Sequence, residues 1–205
     1  MRSILVCFVA ACFVWAADSY MLEGPVYCVG DPRAVLQYDD GTAWWLTWGG
    51  AYRGVWFNVE DFSPGVGFDC EQLEFWFYHH ATYPWTSASF EGILANGDAT
   101  APATELANES ITATHYAPSY AVYGSVVTEA NFWGVDHSLV AGGWPSILGD
   151  NGVGAVGHSF YSDAFGSGYT AWAEGDYFIR AHGTILTTSL DYTSWGAIKS
   201  LYDQQ

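Results

Sequence analysis

Apolar and polar residues alternate along short stretches of this chain, which is the pattern of half-buried β-strands. Over residues 70–80, Leu73 and Phe75 fall on one side of an extended chain, and Glu74 and Trp76 fall on the other. Similar patterns predict strands at 44–48, 53–59, 88–95, 109–115, 120–128, 132–140, 153–161 and 176–185. Turns rich in glycine, asparagine and aspartate separate these segments. We therefore expect an all-β fold, a single antiparallel β-sandwich of the jelly-roll type.

The pattern divides the chain into four parts. Residues 1–16 predict a signal peptide, 17–34 an N-terminal arm, 35–186 the β-sandwich domain and 187–205 a C-terminal tail. Within the sandwich, residues 96–104 are rich in alanine, threonine, proline and aspartate and predict a loop. No interdomain linker interrupts the sandwich, so we expect one domain.

The first residues have the features of a secretory signal peptide. Arg2 precedes an apolar run from Ile4 to Ala17, which is shorter than the about 20 residues that span a bilayer as a helix. Cleavage after Ala16 fits the preference for small residues at the exit, and a lipobox ending at Cys12 is the alternative. We expect an exported protein, extracellular or on the surface of a bacterial cell, with no membrane span.

The C-terminal tail predicts a short helix that Thr193 or Ser194 can cap. One face of this helix carries four apolar residues, Trp195, Ile198, Leu201 and Tyr202. A helix of this length is not stable alone in water, so it must dock on its own sandwich or on a second copy.

Removal of the signal peptide would remove two of the four cysteines, since Cys7 and Cys12 lie in its apolar run. The mature chain keeps Cys28 and Cys70, which we expect to form one disulfide in an exported protein. Two reduced, buried thiols are the alternative.

The charge of the chain is strongly negative, with 22 acidic and 5 basic side chains and a formal net charge of −17. Such a polyanion repels nucleic acid and anionic membranes, so nucleic-acid partners are excluded. The acidity indicates either a solvated acidic surface or carboxylate sites for Ca²⁺, which is abundant outside cells. The Ca²⁺ candidates are Asp39, Asp40 and Asp150 in two glycine-containing turns, and simple Asx turns are the alternative.

Catalytic motifs are absent from the sequence. Residues 157–161 begin like a nucleophile elbow, but Tyr161 stands where the last glycine belongs. His79 and His80 are adjacent, so a strand would point them to opposite faces, away from a shared metal. Carboxylate pairs for glycoside hydrolysis depend on three-dimensional separation and stay a distant alternative. We expect that the protein is not an enzyme.

Aromatic residues are abundant, with 11 tryptophans and 14 tyrosines. A cluster in residues 44–56 gives both faces of a strand an apolar character, and its members are Trp44, Trp45, Trp48, Tyr52 and Trp56. One face must meet the core, and the other meets solvent, a sugar or another subunit. A role confined to the core is the alternative.

Two short motifs carry a resemblance to a known class of module. Residues 38–41 read Tyr-Asp-Asp-Gly, and residues 175–181 read Gly-Asp-Tyr-Phe-Ile-Arg-Ala. Over about residues 35–183 the chain resembles secreted bacterial β-sandwich modules, which are similar to galactose-binding-like and CUB-like jelly rolls. The resemblance implies an extracellular role in binding or assembly, and it implies no catalytic residues.

The second motif contains Arg180, one of few cations in an acidic chain. Alternation places Tyr177 and Ile179 on one side of the strand and Phe178 and Arg180 on the other. We expect Arg180 to form a structural ion pair with an aspartate of the 39–40 turn, and a solvent-facing arginine is the alternative.

Two functions from different classes remain. The first is a secreted structural protein that self-assembles as a filament, lattice or coat through its aromatic surfaces and terminal segments. The alternative is a secreted carbohydrate-binding module that uses the aromatic residues of 44–56. We expect no cofactor for either function, and Ca²⁺ is the one candidate for a bound ion.

Overall fold

The computed structural model describes residues 33–152 and 157–187. Within these residues the chain forms twelve β-strands and a short 3₁₀ turn, Val59–Asp61. The strands are β1 Arg33–Leu36, β2 Trp45–Thr47, β3 Tyr52–Asn58, β4 Gly67–Trp76, β5 Ser89–Asp98, β6 Ala101–Thr112, β7 Pro118–Glu129, β8 Asn131–Ser138, β9 Ile147–Gly149, β10 Ser159–Ser162, β11 Thr170–Ala171 and β12 Ile179–Leu186.

The strands form two main antiparallel sheets and a small ribbon. One sheet has the order β1-β12-β4-β7, and the other has the order β11-β10-β3-β8-β5-β6. Strands β2 and β9 pair with each other as the ribbon. The all-β antiparallel sandwich that the alternation predicts is confirmed.

The main core lies between the two sheets and is rich in phenylalanine. Phe57 and Phe132 come from the six-stranded sheet and Phe68 from the four-stranded sheet, and all three are fully buried. Phe132 stacks on Phe57 at a centroid distance of 5.1 Å and on Phe68 at 5.5 Å. The Phe132–Phe68 contact joins the two sheets, because the two rings come from opposite layers.

Each sheet also buries residues on its outward side. Trp133 and Val135 alternate with Phe132 along β8 and form a second cluster with Ile93. Outside the four-stranded sheet, a third cluster contains Trp76, Leu148 and Phe178, with Leu46 of the ribbon packed against it. Strands with apolar residues on both faces are therefore covered on both sides.

The predicted loop at 96–104 is wrong, because this segment is a β-hairpin. Strand β5 continues to Asp98 and β6 begins at Ala101. The Asp98 carboxylate accepts hydrogen bonds from the Thr100 backbone N–H at 2.8 Å and from its hydroxyl at 2.5 Å, which closes the turn. The sequence pattern also missed the short strands β1, β9 and β11.

Several predictions fall on residues outside the described ranges. These are the signal peptide, the arm with Cys28, and the helix with Trp195, Ile198, Leu201 and Tyr202. In the part of the chain that the structure describes, no helix has the length and apolar character needed to cross a membrane.

Candidate functional site

The aromatic cluster of residues 44–56 is divided between two surfaces. Trp44, Trp45 and Trp48 belong to the ribbon strand β2 and its flanks. Tyr52 and Trp56 lie on β3 and pack on the outward side of the six-stranded sheet. The sequence grouped five residues that the fold separates.

On the first surface, four rings from three distant segments form a continuous series. Trp144 stacks on Trp48 at a centroid distance of 5.4 Å, Trp48 lies 5.2 Å from Tyr83, and Tyr83 lies 5.5 Å from His80. We call Trp144, Trp48, Tyr83 and His80 the aromatic row. Of these four residues, only Trp48 was predicted from the sequence as a binding residue. Tyr83 and Trp144 each precede a proline, which is the one local feature that marks them as loop residues.

The aromatic row is accessible, and its members carry no formal charge. Tyr83 is 51% exposed, whereas Trp48 and Trp144 are half-buried. Trp44 and Trp45, which precede Trp48, are 61% and 41% exposed. These exposed tryptophans and the neutral ring series make a candidate binding surface, since apolar rings on a surface are normally scattered.

Backbone hydrogen bonds set the tautomers of two histidines, His80 at the end of the row and the nearby His115. The backbone N–H of Thr82 donates to Nδ1 of His80, and that of His79 donates to Nδ1 of His115, each at 3.0 Å. A neutral imidazole that accepts at Nδ1 carries its proton on Nε2. His80 and His115 therefore offer Nε2–H donors, and both rings contact Tyr78.

The second surface uses its aromatic residues for packing. Tyr52 stacks on His137 at 4.1 Å with ring planes 5° apart, and His137 Nδ1 lies 2.8 Å from a Glu91 carboxylate oxygen. Burial raises the pKa of Tyr52 above its ordinary value. Trp56 stacks on His158 at 5.1 Å. Both rings are half-buried, and a histidine ring covers one face of each.

Arg180 lies in a buried charge network on the outward side of the four-stranded sheet. Its Nε donates to one Asp39 oxygen at 3.0 Å, and an outer nitrogen donates to the other at 2.6 Å. Another nitrogen lies 3.3 Å from Glu74, which accepts from His182 at 2.8 Å. Burial opposes ionisation of Glu74, but hydrogen bonds from His182 and Trp76 and the charge of Arg180 hold its pKa below the ordinary value.

The three Ca²⁺ candidates have internal roles. Both Asp39 oxygens meet Arg180, and an Asp40 oxygen accepts from the Thr42 backbone at 2.7 Å. The Asp150 carboxylate accepts from three backbone N–H groups, those of Asp40 at 3.0 Å, Gly152 at 2.9 Å and Asp176 at 2.8 Å. Over residues 33–152 and 157–187, no group of three or more candidate ligand side chains is placed to hold a metal ion. Ca²⁺ binding stays a prediction.

Asp176 is a buried acid next to other acids. One oxygen accepts from the Ser159 hydroxyl at 2.8 Å, and the other has no hydrogen-bond partner. Burial raises the pKa of Asp176 to about 7, and the charges of Asp150 and Asp39 act in the same direction. Its folded-state pKa is therefore well above the value of an unfolded chain, about 3.9.

We expect Asp176→Asn to raise the free energy of unfolding by about 1–2 kcal/mol at about pH 8, with the gain shrinking towards about pH 5. A carboxyl with a raised folded-state pKa binds its proton more tightly when folded. The native chain therefore becomes more stable as pH falls through about 7, and the asparagine variant lacks this gain. Urea unfolding across this pH range measures the difference. The exposed Asp163→Asn is the control, and equal pH profiles for both variants would contradict the prediction.

Cys70 is a buried thiol on β4 whose Sγ lies 3.5 Å from the Gln72 carbonyl oxygen. Burial raises its pKa far above the ordinary value, so the thiol stays protonated and unreactive. Its predicted partner Cys28 is outside the described residues. The disulfide therefore stays a prediction.

Comparison with known proteins adds no assignment to this geometry. The resemblance to secreted β-sandwich modules stays a prediction that rests on residues 38–41 and 175–181. No family model, no curated protein and no solved structure matches this chain.

Proposed function

We propose that the protein is a secreted, non-enzymatic glycan-binding protein that holds a neutral polysaccharide on the aromatic row. The observation that carries the proposal is the series Trp144–Trp48–Tyr83, whose successive centroids lie 5.4 and 5.2 Å apart. Sugar rings present C–H faces that pack on aromatic faces, and the exposed Tyr83 ring offers such a face.

Polar groups at the end of the row support a sugar ligand over an apolar one. His80 contributes an Nε2–H donor through its fixed tautomer, and Tyr83 contributes a phenolic hydroxyl that both donates and accepts. Sites for small polar ligands combine apolar walls with a few placed polar groups. The turn that carries both residues is closed by a hydrogen bond from the Tyr83 N–H to the His80 carbonyl at 3.1 Å.

The charge of the protein supports a neutral ligand. The chain carries a formal net charge of −17, and the row includes no cation that could attract an acid. Anionic polysaccharides would meet long-range repulsion, which weakens with added salt. A neutral polymer meets no such barrier.

Self-association is the second candidate, and the edge strand β7 favours it. This strand ends the four-stranded sheet, and on its outward side Tyr120 is 42% exposed and Val122 is 59% exposed. An edge strand with apolar side chains can pair with a second copy. Sedimentation velocity of the secreted chain tests it: concentration-dependent polymers support assembly, and a monomer at all concentrations excludes it.

Affinity electrophoresis of Trp48→Ala tests the glycan proposal. The gels contain soluble neutral polysaccharides or their carboxymethylated derivatives. We expect about ten- to hundredfold weaker retention of the variant by a neutral polymer, since removal of a central aromatic anchor costs about 1.4–2.8 kcal/mol.

Trp56→Ala is the matched control, because this tryptophan comes from the same segment but packs outside the row. It should keep the native retention. The proposal fails if the native protein binds none of the neutral polymers, or if both variants lose retention equally. Stronger retention by the carboxymethylated polymers would show that the ligand is not neutral, but it would leave glycan binding on the row in place.

A further inference from the structure

Arg53 is a fully buried arginine at the start of β3, and its guanidinium donates three hydrogen bonds to the backbone beside the aromatic row. One outer nitrogen donates to the carbonyl oxygens of Thr47 at 3.2 Å and Gly143 at 2.5 Å. The other donates to the carbonyl of Pro145 at 2.9 Å. Thr47 immediately precedes Trp48, and the other two flank Trp144. One guanidinium therefore joins the two segments that carry the paired tryptophans.

The charge of Arg53 is balanced within the fold. Asp136 lies directly opposite Arg53 in the β3–β8 register, and its carboxylate is 2.5 Å from the guanidinium, with both side chains fully buried. Burial raises the pKa of Asp136 to about 6, while the Arg53 charge acts against this rise. Asp136 therefore partners the Arg53 charge inside the fold, while the three carbonyl bonds connect the guanidinium to the loops.

Close packing makes the two segments depend on each other. Gly143 has φ +68°, and a Cβ atom there would overlap the Trp48 carbonyl oxygen. The Trp144 carbonyl, one residue further along, accepts a hydrogen bond from the Ser138 hydroxyl at 2.8 Å. The Gly143 backbone, next to Trp144, is therefore in direct contact with the Trp48 carbonyl, and the Arg53 side chain bonds to both segments.

We propose that Arg53 is the positioning residue of the aromatic row: it sets the placement of Trp48 against Trp144 without touching the ligand. The proposal rests on the function proposed above. Planar geometry is essential, because a guanidinium offers several N–H donors in fixed directions and a lysine ammonium is a single point on a flexible stem. Lysine keeps the charge opposite Asp136 but cannot reproduce all three carbonyl bonds.

The test compares Arg53→Lys with Arg180→Lys. Both arginines are buried, each is paired with an aspartate, and only Arg53 contacts the row's backbone. We expect at least tenfold weaker binding of a neutral polysaccharide for Arg53→Lys. We also expect a loss of the near-ultraviolet circular dichroism that arises from the coupled Trp48 and Trp144 rings. Arg180→Lys should keep both properties at temperatures where far-ultraviolet spectra show it folded.

Native binding and native near-ultraviolet signal in folded Arg53→Lys would overturn the proposal, as would equal losses in Arg180→Lys. If Arg53→Lys does not fold, the double variant Arg53→Met/Asp136→Met removes both charges together and is tested in its place. It should fold and show the same two losses, and native values for it overturn the proposal. If the native protein binds no glycan but the spectral loss appears, the function fails and the positioning role stands.

Discussion

Replacing Arg180 with methionine is expected to lower the free energy of unfolding by about 3–5 kcal/mol, because it leaves the Asp39 carboxylate buried without its cation. Asp39 is 3% exposed and Glu74 is 4% exposed, so water cannot replace the lost hydrogen bonds. The Arg180 side chain makes two contacts to Asp39 and one to Glu74. Methionine keeps much of the side-chain volume, so the loss measures charge and hydrogen bonding. Urea unfolding at neutral pH gives the value.

Arg180→Met/Asp39→Leu is the control for this prediction. It removes both charges of the strongest pair, and replacement of a buried pair by apolar residues is often near neutral. We expect the double variant to recover part of the lost free energy of unfolding. The recovery is incomplete because Glu74 still loses its contact with Arg180. A loss below about 1 kcal/mol for the single variant would contradict the prediction, since that size is typical of an exposed ion pair.

The Arg180–Asp39 pair could be predicted because the alternation of the strand and the small number of cations in the chain point to the same residue. Alternation along residues 176–185 separated Arg180 from its core-facing neighbours, and few cations were available to balance many acids. Asp39 was one of two candidate partners, and the structure pairs Arg180 with Asp39. Glu74 and His182 were not predicted as members, because their meeting depends on the register between β4 and β12.

The aromatic row could not be predicted, because its members come from segments far apart in the chain. Trp48 follows β2, Tyr83 follows β4 and Trp144 precedes β9. Ring contacts between such segments are set by how the loops meet at the ends of the sheets. Local alternation instead grouped Trp48 with Tyr52 and Trp56, which the fold directs to another surface.

The β5–β6 hairpin was missed for a different reason. Pro102, with Asn96, Gly97 and Asp98 before it, makes residues 96–104 unfavourable for a central strand. Strand β6 is the edge of the six-stranded sheet and pairs on one side with β5. An edge strand accepts proline and charged residues, because one side of its backbone has no ladder partner. Composition therefore predicted a loop where the tertiary context allows a strand.

Phe132→Ala is expected to be as costly as the loss of Arg180, at about 3–5 kcal/mol, through removal of a ring that links the two sheets. Phe132 is fully buried and stacks on Phe57 within its own sheet and on Phe68 across the core. Loss of the ring removes apolar burial and leaves a cavity between rigid layers, which cannot close without shifting a whole sheet. Chemical unfolding measures the loss.

The matched control is Phe160→Ala, since Phe160 packs half-buried against Trp133 on the outward side of the same sheet. Its truncation leaves a gap that opens to solvent, so less apolar area is lost and water can fill the space. We expect it to cost about half as much as Phe132→Ala or less. Equal losses would mean that the outward cluster contributes as much to stability as the core between the sheets.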